Sequence, residues 1–199
     1  MAAIKVSKLE VARDQLDAAI EVFFSSDNAI AVHTLTAAAY NVLRDIAKRD
    51  GSDFPFIKTG FIATLKESEK NKVMVFLNAP ENFFKHADRD PDETLEFDPQ
   101  LTELMLMDAC AYFKEKPAFK PKHCDAIKIW AGSLRTDVSK DSPEGHLTLT
   151  IVQGLRAGGK RKFWSWYCDL IAARQQFSSC RAVGATGESN QYPAASPAG

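Results

Sequence analysis

The sequence is short of the features that most often disclose an activity. It has no Gly-rich phosphate loop, no G-x-S-x-G nucleophile elbow and no H-E-x-x-H pair, so phosphate cradling, acyl transfer and zinc hydrolysis are not signposted. Nothing in it calls for a cofactor. Only four cysteines occur in 199 residues (Cys110, Cys124, Cys168, Cys180), none in a C-x-x-C pair. That scarcity argues against a disulfide framework or a zinc site and for a reducing, cytoplasmic setting. No apolar run reaches the roughly 18 residues of a membrane span. The start, "MAAIKVSKLEVARDQ", mixes charge with apolar residues and has no signal-peptide core. The net charge is −1, which excludes binding of a polyanion by bulk charge; any nucleic-acid contact needs a local patch. No internal repeat is visible.

What is present is an ordinary globular composition, 45% hydrophobic and 26% charged, with helical periodicity through most of its length. In residues 8–24, Leu9, Ala12, Leu16, Ile20 and Phe23 recur every three or four positions. Residues 29–49 are the clearest helix, with Val32, Leu35, Ala39, Val42 and Ile46 in one stripe and Gly51 where a helix C-terminus commonly ends. The pattern predicts a third helix over 59–77. Asn78 and Pro80 suit a new start, giving a short helix over 81–88 that stops before Pro91. "DPQLTELMLMDACAYFKEKP" reads as a fifth helix capped by Asp98, with Pro99 in its first turn. Beyond Pro117 the signal is mixed. "CDAIKIWAGSL" fits a short helix or a strand. "HLTLTIVQGL" alternates like a strand but follows a helix-start signature, and is read as helix. "KRKFWSWYCDLIAARQQF" is a helix with a basic start.

The expected architecture is all-α, a bundle of five to seven helices. Residues 1–117 form the bundle core, 118–181 a C-terminal helical addition, and 182–199 a small, polar, disordered tail.

Three groups of residues invite chemistry. Asn82 and His86 are four apart and share a helix side, with Lys85 and Arg89 beside them. A histidine there can move a proton near neutral pH, and the cations can hold phosphate. The plainer reading is a solvated helix end packed through Phe83 and Phe84. Second, His33, Tyr40 and Arg44 lie at one edge of the apolar sector of residues 29–49, where polar groups can line a groove. Third, Asp108 interrupts the apolar stripe of Leu101, Leu104, Met105 and Tyr112. A carboxylate there is costly unless paired, and His33, Arg44 and His86 are the expected partners. The two motif-bearing helices should therefore face each other across Asp108.

Two further patterns carry less. "DRDPDETLEFDP" spaces oxygens like a calcium loop, but Glu93 and Pro99 stand where such a loop needs its glycine and its bidentate glutamate. "RAGGKRKFWSWY" mixes Arg156, Lys160, Arg161 and Lys162 with aromatics, as single-stranded nucleic-acid binders do. A basic helix entry followed by core aromatics explains it equally.

"AVHTLTAAAYNVLRDIA" together with "NFFKHADRDP" resembles a group of uncharacterised bacterial proteins, over about residues 8–115. At a coarser level the pattern resembles HEPN domains, small helical bundles of toxin, antiphage and RNA-processing proteins. That resemblance implies an RNA-cleaving site of arginine, asparagine, three residues and histidine, assembled across a homodimer without metal. Asn82 and His86 match it; Glu81 holds the position of the arginine. Two function classes follow. One is an RNA- or nucleotide-directed protein, with His86 as acid/base, Asn82 orienting it, and Arg89 and Arg44 on phosphate. The other is a non-catalytic interaction module whose polar cluster is structural.

Overall fold

The computed structural model describes residues 3–86, 88, 91–132 and 143–185, with side chains described over 3–86, 88, 91–132 and 150–176. Arg89 lies outside the described residues, as do 186–199 of the expected tail.

The chain is an all-α helical bundle, without a strand among the described residues. Helix α1 (Lys8–Ser25) starts from a capping box: Glu10 N–H donates to Ser7 Oγ at 3.2 Å, and Ser7 N–H donates to Glu10 Oε2 at 2.8 Å. Helix α2 (Ala29–Arg49) follows after a three-residue break, with Asn28 Oδ1 accepting from Ala31 N–H at 3.0 Å. So short a link forces the two helices into a hairpin. They pack tightly because α2 offers small side chains: Ala37 and Ala39 have no exposed surface, and neither do Leu16, Ala19, Ile20 and Phe24 of α1. Each large side chain so buried contributes roughly 1.5–3 kcal/mol. Gly51 closes α2 with φ +68°, a left-handed conformation that other residues adopt at a cost.

Here the structure departs from the sequence reading. The two helices expected over 59–77 and 81–88 are not found. A single π-type turn (Ile57–Phe61) comes first, and then one helix, α3 (Glu67–Lys85), runs straight through Pro80. Pro80 has no N–H for the Phe76 carbonyl. Phe76 is on the outer side of α3, 66% exposed, where water can serve that carbonyl, while the Pro80 ring is buried. The helix therefore survives its proline and ends at Lys85, with His86 as its C-cap, short of residue 88.

Helix α4 (Gln100–Tyr112) starts where Asp98 Oδ1 accepts from Gln100 N–H at 2.9 Å, and ends four residues before Lys116, earlier than the proline at 117 would require. A 3₁₀ turn (Pro117–Phe119) leads to α5 (Cys124–Gly132), then α6 (Pro143–Ala157) and α7 (Lys160–Ala185). The segment left open as helix or strand is thus helix α5, and α7 runs on into residues 182–185 of the expected tail.

Residues beyond 117 share the core of the hairpin. Cys124, Ala126, Ile127, Trp130, Phe163 and Tyr167 belong to the same buried cluster as Leu16, Phe24 and Leu43. Phe24 stacks on Trp164 (centroids 5.4 Å, planes 8° apart) and meets Phe163 and Trp130 at 5.0 and 5.6 Å. The aromatics of the basic, aromatic stretch therefore pack in or against the core, while Arg161 and Lys162 are exposed. Lys160 Nζ sits 3.6 Å over the Phe23 ring and Arg156 4.2 Å over Trp130.

Candidate functional site

Of the polar residues singled out by sequence, Tyr40 and Asp108 come together, with partners that differ from those expected; His33, Arg44, Asn82 and His86 do not join them. The organising element is the π-type turn Ile57–Phe61. The first amides of any helical turn have no partner within it. Here they are met from outside: Ile57 N–H donates to Asp108 Oδ2 at 2.7 Å, and Lys58 N–H donates to Tyr40 Oη at 3.1 Å. Tyr40 in turn donates to the same Asp108 oxygen at 2.7 Å. Asp108 is a cap supplied by α4 to a distant turn. None of His33, Arg44 and His86 pairs with it, which corrects the expectation of a cationic partner. Burial raises the Asp108 carboxyl above its ordinary value, and the Ile57 amide and Tyr40 hydroxyl offset part of that rise. Burial likewise raises the Tyr40 phenol.

The tightness of the turn matters. A Cβ on Gly60 would lie 2.8 Å from Pro55 Cβ and 2.9 Å from Pro55 Cα, so only glycine allows this approach. The turn then aims Lys58 inward, with 1% of its side chain exposed. Its ammonium donates to Asn78 Oδ1 at 2.8 Å and Glu81 Oε2 at 3.4 Å, 5.7 Å from the Tyr40 ring centroid. Glu81 also accepts from Asn41 Nδ2 at 2.6 Å and from Lys85 Nζ at 2.7 Å. Burial lowers Lys58, opposed by the Glu81 charge. Burial pushes Glu81 up, but hydrogen bonds from Lys85 and Asn41 and the charges of Lys58 and Lys85 outweigh it, leaving its carboxyl below the ordinary value.

Sequence reading missed both members of this ion pair. Glu81 was noticed only as a departure from an arginine, and Lys58 not at all. The signal was available, since "FPFIKTGF" sets one cation in an apolar run, which asks for a buried partner.

His33 stands apart from the knot. It is fully buried; its Nδ1 shares a 2.8 Å hydrogen bond with Thr102 Oγ1, while Nε2 has no hydrogen-bond partner. Phe84 and Phe97 meet the ring edge-on at 5.6 and 5.1 Å. Burial, with the nearby Lys58 charge, lowers its pKa to about 4, so the ring is neutral at physiological pH.

The expected catalytic pair faces solvent. The His86 side chain is 55% exposed, with Asp88 Oδ1 3.9 Å from Nδ1; Asn82 is exposed one turn earlier, and its carbonyl accepts the His86 N–H. Lys85 is held by Glu81. Arg44 is 3.0 Å from its neighbour Asp45 and lines a cleft of about 460 Å³ that also touches Lys48, Phe54 and Lys58, away from His86. Among the described residues, no three or more His, Cys, Asp or Glu are grouped to hold a metal ion, and no helix is long and apolar enough to cross a membrane.

No family profile matches the chain, and no curated protein or solved structure is significantly similar to it.

Proposed function

We propose that this chain is a non-catalytic protein-interaction module whose polar cluster is structural. One observation carries the reading. Glu81 takes three donors, Lys58, Asn41 and Lys85, and Asp108 takes two, so the buried charges are engaged in holding α2, α3, α4 and the π-type turn together. His86, the group best suited to proton transfer, stands in solvent, and Asp88 at 3.9 Å is too far from its Nδ1 for a hydrogen bond that would orient the ring.

The surface supports docking. Phe76, Ala79 and Pro80 of α3, Leu95 and Phe97 of the following segment, and Leu101 and Leu104 of α4 line a groove of about 370 Å³. Phe76 and Leu104 are 66% and 50% exposed, and Val75 beside them 62%. Glu96 and Asp98 stand on the rim, in a stretch that also bears Asp92 and Glu93. An apolar floor with an acidic rim suits a helix of a partner protein with apolar anchors at helical spacing and basic flanks.

The test has two arms. Leu-anchored helical peptides flanked by lysine, or by glutamate, are titrated by fluorescence anisotropy against wild type and Leu104→Asp. Preference for the lysine-flanked peptide, lost in Leu104→Asp, is expected; no binding, or equal binding, refutes the docking reading. A structured RNA pool is then incubated with wild type and His86→Ala. The competing RNA-directed reading rests on Asn82, Lys85 and His86 being exposed at one end of α3. Cleavage by wild type that disappears in His86→Ala would establish it and overturn ours.

A further inference from the structure

Where α4 meets α5, two thiols face each other. Cys110 lies in the last turn of α4 and Cys124 is the first residue of α5. Neither has any exposed surface, and their sulfurs are 2.7 Å apart, inside the contact distance of two unbonded sulfur atoms. Cys168, by contrast, is exposed on α7. The two cysteines stand on different helices joined by a proline-bearing link, and their sulfurs are already within reach of one another.

The pair is also fastened shut. Asp17 of α1 accepts from the Lys122 and His123 amides at 3.2 and 3.0 Å, directly before Cys124. The His123 ring packs against Trp164 with centroids 4.9 Å apart. Oxidant reaches the sulfurs only when this clasp releases and the start of α5 lifts.

We propose that Cys110 and Cys124 are a redox pair, converted by hydrogen peroxide to an intramolecular disulfide that locks α5 onto α4. The thiolate of one cysteine attacks a peroxide oxygen and breaks the O–O bond. That sulfur becomes a sulfenic acid, and the departing hydroxide takes a proton to leave as water. The second thiol displaces the sulfenic oxygen, the S–S bond forms, and a second water carries away the remaining proton. Two thiols lose one electron each and one peroxide gains both, so no other reagent is needed. Burial raises the Cys110 thiol well above its ordinary value, so the closed form reacts slowly and release of the Asp17 clasp sets the rate.

The experiment treats the reduced full-length chain with hydrogen peroxide, natively and in urea just below the unfolding midpoint. Intact mass and a non-reducing peptide map are the readouts. Expected is the loss of two hydrogens, a linked pair of peptides carrying Cys110 and Cys124, a higher urea midpoint, and reversal by dithiothreitol. Asp17→Ala should oxidise several-fold faster, and Cys168→Ser should give the same crosslink as wild type. Cys110→Ala and Cys124→Ala should abolish it; should either fail to fold, the wild-type map decides alone. The proposal is overturned if both thiols survive in both conditions, if they oxidise separately to sulfinic acids, or if the crosslink runs through Cys168 or Cys180.

Discussion

Removing the charge of Glu81 while keeping its shape, Glu81→Gln, should be far more damaging than truncating its partner. At 3.4 Å the Lys58–Glu81 attraction is about 5 kcal/mol at an effective dielectric constant of 20, before the cost of taking both groups out of water. Lys58 has only 1% of its side chain exposed, so in Glu81→Gln its ammonium is left with neutral acceptors, Asn78 Oδ1 at 2.8 Å and at best the glutamine amide oxygen, and no counter-charge. Breaking a buried pair in this way costs about 3–5 kcal/mol. Lys58→Met is the opposite case. It fills similar volume and leaves Glu81 with Asn41 at 2.6 Å and Lys85 at 2.7 Å, so about 1–2 kcal/mol is expected. In the Lys58→Met background, Glu81→Gln should then cost under about 1 kcal/mol, since no buried cation remains to be stranded. The assay is urea unfolding of the four proteins followed by far-ultraviolet circular dichroism, with the slope checked for constancy. If Glu81→Gln costs the same in both backgrounds, the two side chains do not feel each other and the knot has no energetic reality.

The pH dependence of stability should report His33. Its folded pKa of about 4 lies below its unfolded value of 6.5, so the fold favours the neutral ring: the stabilisation is complete above pH 6.5 and is lost as pH falls toward 4, by about 3 kcal/mol in all. His33→Leu should flatten that slope in urea midpoints measured at several pH values; an unchanged slope would assign the acid lability to other groups. Asp108→Ala should strand the Tyr40 hydroxyl and the Ile57 amide and cost about 2–4 kcal/mol, whereas Asp45→Ala, at a side chain 68% exposed, should leave the midpoint close to wild type. Equal midpoints for those two variants would mean that Asp108 does not cap the turn.

Helices α1 and α2 were legible because their apolar residues repeat every three or four positions; their caps were not, since Ser7 drew no notice and within "SSDN" the cap is Asn28 rather than Ser26 or Asp27. The oddness of Asp108 was legible too, but its partners were not. One is a backbone amide, which no letter of the sequence records, and the other is a tyrosine hydroxyl, which a search for cations passes over. The division of α3 failed because a proline in the sequence marks a missing donor without saying whether the orphaned carbonyl faces water. Glu81 shows how a motif can mislead: measured against an arginine it was a defect, whereas its significance lay 23 positions upstream, in Lys58. The pairing of Cys110 with Cys124 was likewise hidden, since their spacing matches no metal or redox motif and only the crossing of α4 and α5 brings them together.

The attachment of α3 has a consequence for motion. Its outer face carries Val75 and Phe76 into solvent, and of its own residues only Leu77 and Pro80 are buried. What ties it to α2 and the π-type turn is a polar latch through Asn78 and Glu81, with Leu77, Pro80 and Phe84 supplying a small apolar contact. A helix fastened at one latch can swing or melt as a unit while the hairpin of α1 and α2 stays folded. Its amides should therefore exchange with solvent together, through an opening much cheaper than global unfolding. Because the Lys58–Glu81 pair is buried, added salt should barely change that opening, whereas exposed pairs such as Arg161–Asp27 are screened first.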